Sequence, residues 1–389
     1  MKRKICIITG SRAEYGLLKP LLDEIKNDPD LSLHLIVTGM HLSPEFGLTF
    51  AEIEKEGFKI DNKIEILLSS DTATGTLKAM GLALISLSEV YERLRPDIIV
   101  LLGDRFEIFC AAASALVSKI PVAHIHGGEV TEGAFDDAFR HSITKMSHLH
   151  FTSTEEYKKR VIQLGESPDR VFNVGAIGLD NIRKMRLLTK KELEKELKFK
   201  FGKRNLLVTY HPATLSTLNT RKQFSSLLDT INELENTKII FTKSNADPGG
   251  KIINEMIDKF VFENDQKAVV FTSMGQLKYL STMQFVDAVV GNSSSGIIEA
   301  PSFKIGTINI GDRQKGRIKA KSIIDCEATR ESIKEAFKQL YEKDFQMNLI
   351  NIINPHGDGN AAENIKKILK TCNITNIMEK QFYNVNFEF

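Results

Sequence analysis

The sequence predicts an α/β protein built from two Rossmann-like, doubly wound domains, and three observations support this fold class. Short apolar runs alternate with amphipathic helical patterns in both halves of the chain, which is typical of βαβ units and a parallel sheet. The runs are nearly continuous in Val, Ile and Leu, as expected of strands that helices cover on both faces. Polar residues and glycines collect where the runs end, and doubly wound sheets bind their ligands at that edge.

The first half of the chain contains the pattern of one such domain. Its strands are predicted at the runs KICIITG, LSLHLIVTG, DIIVLLGD and PVAHIH. Helical patterns lie at residues 14–25, 44–56, 76–94, 106–117 and 136–146. This half closes near FNVGAIG, so we predict a first domain over residues 1–180.

The second half repeats the alternation. Its strands are predicted at NLLVTYHP, KIIFTKSN, KAVVFTS, DAVVGNSS and IGTINIGD, with helical stretches between them. A polar segment rich in Lys and Arg, residues 181–203, separates the halves, so we predict a second domain over residues 181–371. Two successive sheets of this kind predict an active site in the cleft between the domains.

Composition excludes several classes of partner. The 52 Lys and Arg nearly balance the 50 Asp and Glu, so a net charge of +2 gives no reason to expect binding to nucleic acid or to a membrane surface. No stretch approaches the roughly 20 apolar residues that span a bilayer. The four scattered cysteines form no CxxC motif or ligand cluster. We therefore expect a cytoplasmic protein without a bound metal.

The first strand does not carry the signature of a nicotinamide enzyme. It leads into GSRAEYG, which lacks the GxGxxG spacing that lets a pyrophosphate approach the backbone, and no Walker A motif is present. We therefore expect no NAD cofactor.

The best candidate for an anion site is the segment from Gly291 to Gly296, which ends a strand and opens a helix. Backbone N–H groups and the helix dipole would face a ligand there. Ser293, Ser294 and Ser295 add hydroxyl donors. The alternative is an ordinary serine-rich N-cap without a ligand.

Charged residues on other strand-end loops would complete such a site. Arg12, Arg313 and Arg317 could neutralise a diphosphate, although each alone is more often a solvated surface residue. Glu299 could accept the hydroxyls of a ribose, or it could simply favour the dipole of its helix.

Candidates for proton transfer lie in the first half, at the ends of strands and at the start of a helix. They are Asp104, His126, Glu129, Asp136, Asp137 and His141. Asp104 could instead be a helix N-cap that pairs with Arg105. The spacing of histidine and glutamate in HIHGGE fits no zinc motif, so it favours proton transfer over metal binding. His211, from the second half, is expected to face these groups.

A set of motifs in this order resembles the hydrolysing UDP-N-acetylglucosamine 2-epimerase family, in the branch for bacterial sialic acid and legionaminic acid synthesis. Over residues 4–320 the motifs are SRAEYG, VTGMH, GDR, HIHGGE, DD..RHSITK, YHP, NADPG, GNSSSG..EAP and INIGDRQKGR. Each motif is weak by itself, whereas the ordered combination is highly specific. The resemblance implies a glycosyltransferase-B fold whose last helix, expected at residues 372–389, packs back on the first domain.

The same resemblance implies the reaction. A base removes the proton at C2 of the sugar while UDP leaves from C1, and water then adds to the resulting glycal. UDP-N-acetylglucosamine would thus give N-acetylmannosamine and UDP for sialic acid synthesis. The alternative substrate is UDP-N,N'-diacetylbacillosamine, for legionaminic acid synthesis.

Site residues follow from the resemblance motif by motif. It implies catalytic roles for Asp104 and Asp136, and a contact of His211 with the diphosphate and leaving group. The implied UDP contacts are those of Arg12, Ser293, Ser294, Glu299 and Arg313. We add five neighbours on the same loops to the predicted UDP-binding set, namely Arg105, Asn245, Asp247, Ser295 and Gly296.

One position departs from the family pattern. Members of the family often read HIEGGE, with a catalytic glutamate where this chain has His126. A histidine can transfer protons near neutral pH without a shifted pKa, or Glu129 can take that role instead.

Three other functions remain as alternatives: a non-hydrolysing epimerase, a glycosyltransferase of the same fold, and a non-catalytic nucleotide-sugar binder. We also expect a homodimer, or a dimer of dimers, whose interface apolar helices of the first half could supply.

Overall fold

The computed structural model describes residues 2–68, 70, 72–130, 136–212, 220–244 and 250–386. The chain divides into two compact units. The first unit comprises Met1–Arg183 and His356–Phe389, and the second comprises Lys184–Pro355.

In the described residues, the first unit contains one sheet of seven parallel strands. The strands are β1 (Arg3–Thr9), β2 (Leu31–Thr38), β3 (Asn62–Ile64), β4 (Ile98–Leu102), β5 (Val122–Ile125), β6 (Leu149–Thr152) and β7 (Val171–Asn173). Their order in the sheet is β3-β2-β1-β4-β5-β6-β7, so the chain reverses direction across the sheet between β1 and β4. The short strands β3, β6 and β7 were not predicted, since none has a long apolar run.

Helices cover both faces of this sheet. They are α1 (Arg12–Lys26), α2 (Phe50–Lys55), α3 (Ala73–Leu94), α4 (Phe106–Val117), α5 (Asp136–Met146), α6 (Glu155–Gln163) and α7 (Leu179–Lys184). The helix predicted at residues 44–56 is confined to α2, because Gly47 and Leu48 both adopt positive φ and break the helical pattern.

Strand β1 shows why its apolar run is continuous. Ile5 and Ile7 pack into the core under α1, whereas Cys6 and Ile8 pack on the opposite face with residues of α3 and α4. Successive side chains of a strand point to opposite faces, so a strand covered on both sides needs apolar residues at every position.

The second unit contains a six-stranded parallel sheet in the described residues. Its strands are β8 (Arg204–Thr209), β9 (Thr237–Thr242), β10 (Ala268–Phe271), β11 (Ala288–Gly291), β12 (Gly306–Ile310) and β13 (Ile323–Cys326). They are ordered β10-β9-β8-β11-β12-β13, which repeats the arrangement of the first unit. Its helices are α8 (Lys190–Leu197), α9 (Thr220–Asn232), α10 (Gly250–Glu263), α11 (Gly275–Met283), α12 (Ser294–Ile298), α13 (Arg330–Leu340) and α14 (Lys343–Leu349).

The last helix, α15 (Ala361–Thr371), belongs to the first unit and packs on α1. The predicted helix at residues 372–389 is wrong, since the described residues 372–386 contain no helix. Asn373, Ile374 and Thr375 have low helical propensity, and Cys372 is already extended. The second domain predicted to end at residue 371 therefore ends earlier, because residues 356–371 join the first unit.

Asp180 connects this returning segment to the rest of the first unit. Its carboxylate is fully buried and accepts hydrogen bonds from the backbone N–H groups of Ala361 and Ala362, both at 2.9 Å. These are N–H groups of the first turn of α15, which have no partner within the helix. Asp180 thus caps a helix that begins 181 residues later.

None of the helices within the described residues combines the length and the apolar character that crossing a membrane would require.

Candidate active site

Arg140 organises a cluster of polar side chains at the carboxyl edge of the first sheet. Asp104 follows β4, and its carboxylate accepts a short hydrogen bond from the Arg140 guanidinium. Arg140 is buried on α5, and its Nη1 also lies 3.5 Å from Glu129 Oε2. The same nitrogen donates to the backbone carbonyl of His126 at 3.4 Å. One buried arginine therefore fixes three of the predicted catalytic positions relative to each other.

His126 and Glu129 form a pair on the turn after β5. His126 Nδ1 lies 3.3 Å from Glu129 Oε1, and the hydroxyl of Ser153 donates to the same oxygen at 2.9 Å. His126 has a φ of 67°, in the left-handed region that a non-glycine residue seldom adopts. Backbone strain of this kind persists where the surrounding structure imposes it, and such positions cluster at functional sites.

Asp136 is the first residue of α5 and lies in the electrostatic field of Asp104. Burial raises the pKa of Asp136, and the charge of Asp104 raises it further. Two neighbouring carboxyl groups whose environments differ are the arrangement that acid–base catalysis uses. By contrast, Asp137 is directed to His141 on the same helix, at 3.5 Å.

His124, the other histidine of the HIHGGE motif, is buried within the unit. Its Nδ1 lies 3.1 Å from Thr144 Oγ1, and its Nε2 lies 2.8 Å from the backbone oxygen of Gly103. Burial lowers the pKa of His124 to about 3. A neutral histidine with both ring nitrogens occupied supports the loop that carries Asp104.

Arg105 is held by two carboxylates that the sequence analysis did not single out. Its Nε lies 2.6 Å from Glu107 Oε1 and 3.8 Å from Glu14 Oε1. Burial and the charge of Glu107 raise the pKa of Glu14 to about 8. Gly10 leaves room for Glu107, since a Cβ at Gly10 would lie 2.3 Å from a Glu107 oxygen and the Glu107 side chain would have to move. The positive charge of Arg105 is thus balanced within the first unit.

Arg12, another predicted phosphate contact, begins α1 in the first unit. Its side chain is exposed and lies 3.3 Å from Glu52 of α2.

The predicted anion loop of the second unit follows β11. Gly291 has a φ of 130° and passes so close to β8 that a Cβ would lie 2.0 Å from the carbonyl oxygen of Thr209. Ser293 caps α12 by accepting from the backbone N–H of Ser295 at 3.3 Å. Because α12 spans only Ser294–Ile298, its dipole is weak, so the predicted anion site has backbone N–H groups, hydroxyls and a nearby arginine as its main donors.

Asn292 connects this loop to two others. Its side-chain amide accepts from the backbone N–H of His211 at 2.7 Å and donates to the backbone oxygen of His211 at 2.8 Å. Its own backbone oxygen accepts from Arg313 at 3.1 Å and from Gln314 at 2.9 Å. His211 Nδ1 also lies 3.3 Å from Ser244 Oγ. Asn292 therefore brings the predicted residues His211 and Arg313 to one place in the second unit.

Glu299 ends α12 and has the environment expected of a ligand-binding carboxylate. Burial raises its pKa, and its Oε2 is buried without a hydrogen-bond partner among the described residues. An acceptor in this position is suited to hydroxyl donors from a ligand. Tyr279 of α11 lies against the same loop, and burial raises the pKa of its phenol.

The structure thus gathers the predicted residues into two groups. Asp104, Arg105, His126, Glu129 and Asp136 lie at the carboxyl edge of the first sheet, and the second unit holds a group made of His211, Ser293, Ser294, Ser295, Gly296, Glu299 and Arg313. Asn245 and Asp247 lie outside the described residues. No group of three or more His, Cys, Asp or Glu side chains is placed to hold a metal ion in the described part of the chain.

Sequence reasoning missed the residues that hold the members of each group together. Arg140 follows Asp136 by four positions, and residues at that spacing lie on one face of a helix. The sequence therefore contained a signal that could have placed Arg140 beside Asp136. Asn292 lies inside the predicted anion loop and Glu107 lies two residues after Arg105, but nothing in the sequence indicates that Asn292 pairs with His211, 81 positions away.

Comparisons with known proteins are consistent with this geometry. The sequence profile of the family described as UDP-N-acetylglucosamine 2-epimerase matches residues 23–370. A GDP/UDP-N,N'-diacetylbacillosamine 2-epimerase (hydrolysing) of Campylobacter jejuni is 50% identical over 382 residues, 98% of this chain and 99% of the relative. Polysialic acid biosynthesis protein P7 of Escherichia coli is 41% identical over 388 residues, 98% of each chain.

The fold also has solved counterparts. The crystal structure of UDP-GlcNAc 2-epimerase from Neisseria meningitidis, bound to UDP-GlcNAc, matches with a TM-score of 0.79 at 20% identity, over 94% of this chain and 99% of that chain. The match confirms the predicted fold class of two parallel-sheet α/β domains of the glycosyltransferase-B type.

Proposed function

This chain belongs to the UDP-N-acetylglucosamine 2-epimerase family, and we therefore propose that its substrate is UDP-N,N'-diacetylbacillosamine. The proposed reaction breaks the bond between UDP and C1 of the sugar and inverts the configuration at C2. The reaction consumes one water and gives UDP and the free 2-epimer. The observation that carries the catalytic part is the cluster of Asp104, His126, Glu129 and Asp136 around the buried Arg140.

The chemistry divides into two proton transfers at C2 and one bond cleavage at C1. A base takes the C2 proton while the C1–O bond breaks and UDP leaves with its electron pair. A second group then donates a proton to C2 from the opposite face while the hydroxyl of a water bonds to C1. The remaining proton of that water replaces the one that the second group donated, and the base releases the C2 proton to solvent. We assign the first transfer to the Asp104 and Asp136 pair, whose carboxyl groups interact. We assign the second to His126, which Glu129 orients through Nδ1.

The second unit supplies what a diphosphate leaving group needs. We assign UDP to the loop after β11, where hydroxyls of Ser293 and Ser294 accompany the guanidinium of Arg313. Glu299 is the acceptor for the ribose hydroxyls. His211, fixed by Asn292, is assigned to the oxygen that leaves C1.

We also propose a cytoplasmic location, since all four cysteines are free thiols.

The choice of sugar rests on the relative at 50% identity, whose name specifies diacetylbacillosamine and either GDP or UDP. UDP-N-acetylglucosamine is the second candidate. It is favoured by the description of the family and by the relative at 41% identity, which is named for polysialic acid biosynthesis.

The test is to incubate the protein in heavy water separately with UDP-N,N'-diacetylbacillosamine, its GDP analogue and UDP-N-acetylglucosamine, following each reaction by NMR. We expect release of UDP and a free manno-configured sugar with deuterium at C2, fastest with the first compound. Faster turnover of UDP-N-acetylglucosamine would transfer the assignment to the second candidate. Three intact substrates would refute the epimerase function, and a product that remains UDP-linked would identify a non-hydrolysing enzyme.

Asn292 provides a test of the UDP assignment. We expect Asn292→Ala to weaken UDP binding about tenfold, because the buried backbone N–H and oxygen of His211 lose their side-chain partners and each unsatisfied buried group costs about 1–3 kcal/mol. Isothermal titration calorimetry with UDP measures the change. The matched control is Asn232→Ala on the exposed end of α9, and equal affinities of the two variants would contradict the assignment.

We further propose that two copies of this chain associate through α3. Leu77, Leu84 and Ile85 recur at helical spacing on this helix and are exposed, and Ile85 is 65% exposed. Val117 at the end of α4, a helix that packs on α3, is 83% exposed. Apolar side chains grouped on one face of a soluble protein usually mark a contact surface.

A charge on this face should separate the copies. We expect the wild type to sediment as a dimer and Ile85→Lys to sediment as a monomer, because the new ammonium would be buried next to its own symmetry mate. Phe262→Lys, on the exposed face of α10, is the control and should stay dimeric. A monomeric wild type, or a dimeric Ile85→Lys variant, would rule out this interface.

A further inference from the structure

The chain ends in a segment that the proposed reaction does not use. Residues 373–386, here called the C-terminal strap, follow α15 without helix or strand and lie on the first unit. Ile377 anchors the strap in the core, and the backbone N–H of Tyr383 donates to the carbonyl of Gly165 at 2.9 Å.

Lys380 of the strap binds the carboxyl end of α5. Its Nζ donates to the backbone oxygens of Lys145 at 2.9 Å and Ser147 at 2.6 Å, and it lies 2.6 Å from Glu166 Oε2. Three acceptors match the three hydrogens of an ammonium group. The last carbonyls of a helix have no partner within it, and a positive charge there also complements the helix dipole. Lys380 is therefore a C-cap provided by a segment 235 residues further along the chain.

Glu166 connects Lys380 to the side chain of Lys145 in the last turn of α5. It is 2% exposed and accepts from Lys145 at 2.6 Å and His150 at 2.9 Å, in addition to Lys380. Although burial would raise the pKa of Glu166, these three partners lower it to about 2. The Lys145 ammonium also lies 5.0 Å from the ring centroid of Phe382 in the strap. The strap and Glu166 thus hold the final turn of α5 both at its backbone carbonyls and at the side chain of Lys145.

The opposite end of the same helix carries the catalytic groups. Asp136 is the first residue of α5, and Arg140, one turn later, holds Asp104 and Glu129. Because α5 has only 11 residues, Arg140 lies five positions before Lys145, whose backbone oxygen Lys380 binds. An error of about 1 Å in the position of a catalytic group costs about 100-fold in rate.

We propose that Lys380 is a positioning residue, through which the C-terminal strap sets the placement of Asp136 and Arg140 for the reaction at C2. This inference rests on the proposed function, since it links the strap to the residues assigned to proton transfer at C2 and not to the residues assigned to UDP.

The test compares Lys380→Met and Lys380→Arg with Lys159→Met, which removes an exposed lysine of α6 in the same unit. For Lys380→Met we expect kcat to fall about tenfold with little change in KM or in the dissociation constant of UDP. Lys380→Arg keeps a positive charge and N–H donors for the same acceptors, so it should retain more of kcat than Lys380→Met. Hydrogen exchange at the amides of residues 140–147 should accelerate in Lys380→Met alone.

The outcomes separate three possibilities. A Lys380→Met variant with unchanged kcat but faster exchange in α5 would make the strap structural only and overturn the positioning role. Unchanged exchange would overturn the link between strap and helix itself. If the wild type turns over none of the nucleotide-sugars, the proposed function fails and the catalytic role of Lys380 fails with it, whereas the exchange data still decide whether the strap holds α5.

Discussion

Replacing Asp104 by Asn is expected to lower kcat for UDP release by about 10³-fold. An amide cannot accept the C2 proton, and general base catalysis contributes about 10²–10⁴-fold. The substitution also removes the carboxylate that pairs with Arg140. Stopped assays of UDP release and deuterium uptake at C2 measure the loss.

Binding should be spared in the same variant. Asp104 lies in the first unit, and UDP is assigned to residues of the second, so the dissociation constant of UDP should change by less than about threefold. Asp169→Asn, an exposed carboxylate of the first unit, is the matched control and should keep full activity. A kcat within tenfold of wild type would remove Asp104 from the catalytic pair and leave Asp136 or His126 as the base.

Replacing Asp180 by Ala is expected to lower the free energy of unfolding of the first unit by about 3 kcal/mol. Its buried carboxylate satisfies two backbone N–H groups at the start of α15, and each hydrogen bond to a charged group contributes about 1.5–3 kcal/mol. Removing it leaves both donors buried without that acceptor. Urea unfolding followed by circular dichroism measures the change as a lower midpoint.

A neighbouring acidic residue provides the control for this effect. Asp358 lies close in sequence to the same helix but is exposed, so Asp358→Ala should change stability by less than about 0.5 kcal/mol. Equal midpoints for the two variants would show that α15 is held by its apolar contacts with α1 and not by its cap.

The fold class was predictable because it depends on local patterns. The central parts of the runs KICIITG and DIIVLLGD, residues 5–8 and 98–102, are apolar at every position, and that composition is sufficient to predict strands covered on both faces. Strands β3 and β7 escaped prediction because each is three residues long and lies at an edge of the sheet, where fewer apolar neighbours are needed.

The candidate site was predictable in part for a related reason. The carboxyl ends of parallel strands lie along one edge of a sheet, so Asp104 and His126 were expected near each other before any coordinates were known. The partners of these residues were not predictable. The hydrogen bonds from Arg140 to Asp104 and from the side-chain amide of Asn292 to the backbone oxygen of His211 join residues 36 and 81 positions apart.

The sequence alone determined that this protein has two doubly wound domains, and it predicted acid–base residues in the first and an anion loop in the second. Those features follow from periodicity and from which residues stand at strand ends, and both are local properties of the chain. Only the tertiary structure decided that residues 356–371 return to the first unit, where Asp180 caps α15, and that Lys380 caps α5. Each of these contacts joins segments that are far apart in sequence. Such a contact forms only when the packing of the intervening elements brings the two segments together, and the local sequence around either residue does not specify that packing.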